Sequence, residues 1–529
     1  MASEGAPAAV ARATARFLRW SWGKATGQVV VLVGGPARAR VIVLFGAVLA
    51  LNGADTATIG AAAPQLEHAL HIGNTKVGLL SSVALLVGAA FVLPVGLLVD
   101  KVRRMPMLAG SIVLWSLASL LSGLAGSYGA LLLTRLALGA VTATAGPAIA
   151  SLTGDYFPAA ERGRVYAYIL GGEIAGTAAG FIVSGTVASV ISWRAAFILL
   201  ALPGFFLART LWLTVPEPLR GGQSRLAPGA IDFEPARRAT RASDEPAARP
   251  EADDGLAQEA VRKHGVEPDP RLVLTEDPRE MRMGAAIRYI LSIPTNVLMI
   301  ISSSLGYFFF AGLQTFAVVF VRGHYHVNQA TAELVLVLLV GGAMVGTLVS
   351  GRLTDFMLAR GFLDARVWVP ALCYLGASAL LIPGILGDHL TPAIWFDVAG
   401  AALLAAANPP LDAARLDIMP AGLWGRAEST RTFLRSLAQA LAPLLFGGVA
   451  DLVAGFTPEQ APVGTHPGGI SQGTATGLEV SFLIMISTLV AAGIFLARSR
   501  RTYPTDVATA AASHQGTTAP SVPASPARD

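Results

Sequence analysis

Val95-Gly-Leu-Leu-Val-Asp100 closes one long apolar run and is followed by Lys101, Arg103 and Arg104. Ser350-Gly-Arg-Leu-Thr-Asp355 closes another run, 255 residues later, with Arg360 after it. At the same offset, HIGNTKVGLL from His71 answers HVNQATAELV from His326. Further on, GPAIASLTGDYFPAAERGR answers NPPLDAARLDIMPAGLWGR; Pro147, Asp155, Pro158 and Gly163 match Pro409, Asp417, Pro420 and Gly425 at an offset of 262. Four agreements in one window are hard to obtain by chance. The chain is therefore two related halves.

Composition says what kind of halves. Of 529 residues, 53% are hydrophobic and 14% charged, with a mean hydropathy of +0.58. Soluble domains carry about a quarter charged residues. Apolar runs recur about every 25 to 30 residues, the spacing of a polytopic membrane protein. Twelve membrane helices are expected near 40–63, 75–98, 106–126, 129–151, 164–190, 194–215, 289–321, 330–354, 366–387, 392–414, 427–452 and 477–497. The domain plan is an N-terminal segment 1–38, a six-helix bundle 39–216, a linker 217–288, a second bundle 289–498 and a tail 499–529. Linker and tail read as disordered by composition. The exception is a short helix at Leu256–His264, ended by Gly265. Arg12, Arg16, Arg19, Trp20 and Trp22 suit either a helix on the membrane surface or a disordered tail.

The net charge of +5 does not indicate nucleic acid, because Lys and Arg sit in short loops between apolar runs. They follow helices 2, 4, 8 and 12, whereas the loop 453–476 has none. Both termini and the linker are therefore expected in the cytoplasm, with the chain in the cell (plasma or inner) membrane. The single Cys373 allows no disulfide. His71, His324 and His326 are too scattered for a metal site. GGPAR and GGEIAG lack the context of a phosphate loop, so no cofactor, no ATP-binding domain and no enzyme are expected.

Gly96-Leu-Leu-Val-Asp100-Lys-Val-Arg103-Arg104 resembles the G-x-L-x-D-x-x-x-R-[RK] loop of the major facilitator superfamily, and Arg135-Leu-Ala-Leu-Gly139 its R-x-x-x-G on helix 4. The resemblance covers about residues 40 to 500 and implies an all-α membrane fold of two pseudo-symmetric six-helix halves. Asn52 with Asp55, GRLTDFMLARG and PPLDAARLDIMPAGLWGRAESTRTF are similar to the spinster-like branch, which implies lysolipid or sphingolipid-type cargo. Two positions depart from that branch: Thr56 stands where it has Arg, and Thr142 where it has an acidic residue.

In such a fold, substrate binds at midplane between halves that rock about it. Gly96, Asp100, Arg103, Arg104, Gly351 and Asp355 are expected to latch the cytoplasmic side, or merely to set orientation. Intramembrane charges are the functional candidates. Arg135 and Asp397 are repeat-related, as are Glu173 and Arg435. Opposite charges at related positions predict cross-domain pairs Arg135–Asp397 and Glu173–Arg435, either as static ties or as cations for an anionic headgroup. Asp55 lies about 14 residues into its run, near the bilayer midplane. Its repeat partner is Phe310, so it has no charge at the symmetric site; Asp55 and Glu173 are the expected proton acceptors, with Asp55 the first choice. Thr142 shares a stripe with Arg135, Gly139 and Gly146, and Arg135, Thr142, Asp397 and Arg435 are expected at the substrate cavity. Tyr307 and Gln314 are expected at the cavity, and Gly172, Gly176 and Gly180 at a helix contact. Asp412, Arg415 and Asp417 read as a solvated helix end or a gate.

The sequence thus predicts a monomeric, proton-coupled secondary transporter of an amphiphilic, anionic or lipid-like small molecule, in contact with membrane lipids. An uncoupled facilitator and a non-transporting receptor acting through its linker are the alternatives.

Overall fold

The structure is a computed structural model that describes residues 30, 33–157, 159–218, 226, 229–233, 256–274, 278, 281–420, 423–456 and 471–516. Among the described residues all regular structure is helical. Twelve helices are long and apolar enough to cross a membrane. They are α1 (Pro36–Ala61), α2 (Asn74–Lys101), α3 (Arg104–Gly123), α4 (Tyr128–Tyr156), α5 (Ala159–Val190) and α6 (Trp193–Thr214). The second half comprises α7 (Pro294–His324), α8 (Gln329–Ala359), α9 (Ala365–Leu386), α10 (Leu390–Asp417), α11 (Trp424–Ala454) and α12 (Gln472–Ser499). At 1.5 Å per residue, 20 residues cross about 30 Å, so each span is long enough.

Two spans break at repeat-related points. α4 divides into Tyr128–Thr142 and Ala145–Tyr156, and α10 into Leu390–Ala406 and Asn408–Asp417. Pro147 and its repeat counterpart Pro409 lie just past the breaks. Proline lacks an N–H and its ring crowds the carbonyl four residues back, here that of Ala143 and Ala405.

Within the N-terminal half, α1 packs along α5 through the glycines at 172, 176 and 180. A Cβ on Gly176 would meet the Ala50 carbonyl oxygen at 2.0 Å, so only glycine allows this approach. At the equivalent α7–α11 contact rings meet: Phe309 of α7 lies 6.0 Å from Phe446 of α11 and 6.3 Å from Phe482 of α12.

The α2–α3 turn and both linker ends define a basic end of the molecule; the α1–α2 and α7–α8 turns define the far end. The halves meet mainly through α2 with α11, α5 with α8 and α1 with α7. Two bonds between them lie at the far end. Gln329 donates to the Ala61 carbonyl at 2.9 Å and Thr186 to Glu333 at 3.0 Å. A Cβ on Gly60 would meet the Gln314 carbonyl oxygen at 2.4 Å.

The linker and tail depart in part from the disordered reading. Leu226 and Ala230 bond to Tyr156 and Ala37 of the first half. The short helix forms at Leu256–Lys263, with Gly265 at φ 65. The tail helix Tyr503–Gly516 was not expected, because Ala and Thr mask its amphipathic pattern. Tyr503, Val507 and Ala510 are buried beneath the second half. Thr509 and Ser513 accept N–H bonds from Asp269 and Leu274 of the linker. Asp506 accepts the Thr295 N–H near the start of α7 at 3.0 Å; burial pushes its carboxyl up, against the pull of that bond. The N-terminal arginines and tryptophans, and half of the linker, lie outside the described residues.

Candidate functional site

Between the halves lies a cavity of about 250 Å³. Ile174, Thr177 and Phe181 of α5 form one wall; Tyr307, Phe310 and Gln314 of α7 face them. Residues of α8, α9 and α10 complete it, Tyr374 and Asn408 being polar members. The close approach of α1 to α7 at Gly60 and Gln314 lies on its far side. Two of the four aromatics in Tyr307-Phe-Phe-Phe310 therefore line the cavity, while Phe308 and Phe309 pack against Phe446.

Arg435 of α11 stacks on Tyr307, its guanidinium 4.3 Å from the ring centroid. Its Nε has no hydrogen-bond partner. Across the interface, Glu173 of α5 takes a hydrogen bond from Asn52 of α1 and feels the charge of Arg435. No ion pair closes between Glu173 and Arg435 among the described residues, so the expected tie is a facing, open pair. The repeat explains the arrangement. Asn52 and Tyr307 are 255 residues apart, Glu173 and Arg435 262 apart. Each half thus presents the same α1/α5-type contact, once as a carboxylate on an amide and once as a cation on a ring.

The pair Arg135–Asp397 does not form. Arg135 instead reaches Asp55, with Nη1 3.2 Å from Oδ2, and donates from Nη2 to Ser122 at 2.8 Å. Its guanidinium stacks 4.8 Å from the Phe197 ring, and only 1% of its surface is exposed. Asp55 is therefore partnered within its own half. Asp397 packs against Gly384, where a Cβ would come within 2.0 Å of Oδ1. Ser122 and Gly384 are again 262 apart. The rotation relating the halves places Arg135 and Asp397 in equivalent bundle interiors, which separates them rather than opposing them. Neither lines the cavity. Thr142 lines a smaller pocket with Asn52 and Trp115.

At the basic end, Arg104 bonds Asp155 at the foot of α4 and Glu217 at 3.0 Å. Its repeat counterpart Arg366 bonds Asp417 at 2.5 Å, and the Tyr503 hydroxyl donates to the same carboxylate at 2.6 Å. Arg104 therefore ties α3 to α4 inside one half, rather than latching the two halves as expected. Arg103 is exposed. The side chains of Asp100 and Asp355, and Gly96, lie outside what is described; Gly351 has its nearest neighbour at Pro409. Asp412 and Arg415 are not a simple solvated helix end. With Glu428 and Arg431 they form a four-membered network, Arg415–Glu428 at 2.7 Å and Arg431–Asp412 at 3.0 Å.

Sequence reasoning missed Glu428, Arg431, Glu217, Glu333 and Arg366. The repeat could have found Arg366, which stands 262 residues after Arg104. Nothing in the pattern marks Glu217, because its role comes from the chain turning back under α3.

The family model of the Major Facilitator Superfamily matches residues 45–443. The chain belongs to the Major Facilitator Superfamily. The superfamily resemblance read from the α2–α3 motif is thereby borne out, as is the twelve-helix architecture; its relatives are transporters rather than enzymes. Among curated relatives, the probable L-galactonate transporter of Escherichia coli is 28% identical over 170 residues, covering 32% of this chain and 37% of that protein. The 4-hydroxybenzoate transporter of Pseudomonas aeruginosa is 29% identical over 35% of this chain and 41% of that protein. This facilitator chain thus aligns with well under half the length of these relatives. A crystal structure of a bacterial homolog of the human lysosomal transporter Spinster, inward-facing and occupied, superposes with a TM-score of 0.68 at 20% identity, covering 89% of this chain and 98% of that one. That likeness shows the shared fold.

Proposed function

We propose that this facilitator moves a small organic anion with an aromatic or aliphatic body, by exposing the cavity alternately to the two sides of the membrane. The observation that carries the reading is the cavity wall: chiefly apolar side chains, with Arg435 held over Tyr307 at its edge. An apolar body fills such a wall, and a carboxylate or phosphate is held by the guanidinium. Curated relatives named for galactonate and 4-hydroxybenzoate are in keeping with an anion. The apolar lining favours the aromatic acid or a single-chain amphiphile over a polyhydroxylated sugar acid. Bonds between the halves at the far end support a cavity open toward the basic end. The cell membrane, with both termini in the cytoplasm, is the placement that the positive-inside pattern favours.

Coupling to protons is part of the proposal. Asp55 is neutralised by Arg135, which removes the ground for making it the first choice. Among the described residues, Glu173 has the Asn52 amide and a cation beyond ion-pair range. A substrate anion that occupies Arg435 takes away the charge facing Glu173 and favours its protonation. Glu173 is therefore the coupling carboxylate, and Asp55–Arg135 a buried tie that keeps α1 and α4 in register. The test is uptake of labelled 4-hydroxybenzoate, galactonate and a lysolipid by proteoliposomes. Saturable uptake of the aromatic acid or lysolipid, lost in Arg435→Gln, is expected; preference for galactonate would overturn the substrate class.

A further inference from the structure

The far end holds a pair of carboxylates, Asp451 and Glu67, that the transport site does not use. Asp451, near the end of α11, accepts four hydrogen bonds from the first two residues of α2. They come from Asn74 N at 3.0 Å, Asn74 Nδ2 at 2.9 Å, Thr75 N at 2.8 Å and Thr75 Oγ1 at 2.6 Å. A helix N-terminus carries free N–H groups and about half a positive charge, and its usual cap is a local side chain. Here the cap comes from the other half of the molecule. The contact is fitted by glycine: a Cβ on Gly73 would meet Asp451 Oδ2 at 2.8 Å, and one on Gly447 would meet the Asn74 carbonyl oxygen at 2.4 Å.

Beside this cap lies Glu67, on the short helix Ala63–Leu70 that follows α1. Its Oε1 is buried without a hydrogen-bond partner. Two charged groups act on it: Asp451 from α11 repels and Arg322 from α7 attracts. Arg322 is shared with Glu333 of α8. From α2, the groups at this point are the neutral donors of Asn74 and Thr75.

We propose that Asp451 and Glu67 form a proton-sensitive latch at the far end, in which Asp451 clamps α2 across the interface and a proton on Glu67 lets the two carboxyl groups lie together. The latch rests on the alternating-access reading, since it is the opening of this end that it controls. Burial, reinforced by Asp451, pushes Glu67 up to about 8, against Arg322; in water its ordinary value is 4.5. The sign follows: closure is fully supported below about pH 4.5, weakens as pH rises from there to about 8, and weakens no further beyond. One proton is linked, so the closed-to-open ratio falls by at most about tenfold per pH unit.

The experiment measures spin-label distances in nanodiscs, in a Cys373→Ser background. One label pair, Ser189→Cys with Asp388→Cys, reports the far end; a second, Arg209→Cys with Phe362→Cys, reports the basic end. With the native latch, the long far-end distance should gain population between pH 5.5 and 9. Glu67→Gln should abolish that response and stay closed. Asp451→Asn should favour the open distance at every pH, and Thr75→Val, which removes one of four bonds, should do so more weakly. If Glu67→Gln keeps the full pH response, or both Asp451→Asn and Thr75→Val stay as closed as the parent, the latch is wrong. If instead neither pair of distances responds to saturating 4-hydroxybenzoate or lysolipid, the alternating-access reading fails, and the latch with it. Thermal melting of each variant separates loss of the clamp from loss of fold.

Discussion

The two halves share a backbone plan and spend their charges differently. At one set of equivalent positions the first half has Asp55, Arg135 and Ser122 bonded together, while the second has Phe310, Asp397 and Gly384. At the other set the first half offers Glu173 on Asn52, the second Arg435 on Tyr307. The first comparison concerns the interior of each bundle, the second the surface where they face. A duplicated fold therefore keeps its contacts and varies the chemistry placed on them. A buried pair stabilises only while both members are present; facing charges that do not close are available to a ligand.

The largest effect should come from breaking the buried pair. Arg135→Ala leaves Asp55 as a lone carboxylate in a dry bundle and should cost about 3–5 kcal/mol. A fall in melting temperature of the purified protein in detergent reads it. Asp397→Asn at the equivalent site should leave the melt almost unchanged, since among the described residues Asp397 has no ion-pair or hydrogen-bond partner to lose. Equal destabilisation by the two substitutions would erase the contrast. Arg435→Gln should leave the melt near that of the parent but weaken binding of 4-hydroxybenzoate by about tenfold or more, the loss of one charge-assisted contact. Arg435→Lys should restore part of it, keeping charge without the stacking plane; calorimetric titration measures both. The smallest effect belongs to the basic end. Tyr503→Phe removes the hydroxyl from Asp417, at a cost of about 1 kcal/mol. Arg366→Ala should exceed it severalfold, because it takes the cation away from the buried Asp417 carboxylate; both are read by melting.

Much of this architecture is legible in the sequence because its cause is local and repetitive. Apolar runs of span length give twelve helices, and Pro147 marks the break of α4 within a turn of where it stands. The glycines of α5 announce a close contact by spacing alone, and the partner proves to be α1. The charge partners were not legible. Repeat symmetry says that Arg135 and Asp397 have equivalent surroundings, and equivalence is not opposition. A rotation between halves brings together only residues near its axis, which Glu173 and Arg435 satisfy and Arg135 and Asp397 do not. Nor could the Asp451 cap be read, because it joins residues 377 positions apart with no pattern linking them. The tail helix is concealed by a composition typical of disordered chain, and it is the docking of Tyr503 and Asp506 that orders it.

The facing charges are the centre of this account, and gradient-driven uptake by proteoliposomes holding Glu173→Gln tests them most directly. With 4-hydroxybenzoate as the probe and an imposed pH gradient, the parent should concentrate substrate. Glu173→Gln should lose that accumulation while still exchanging labelled for unlabelled substrate. Accumulation by Glu173→Gln at the parent's level would contradict the assignment of Glu173 as the coupling group.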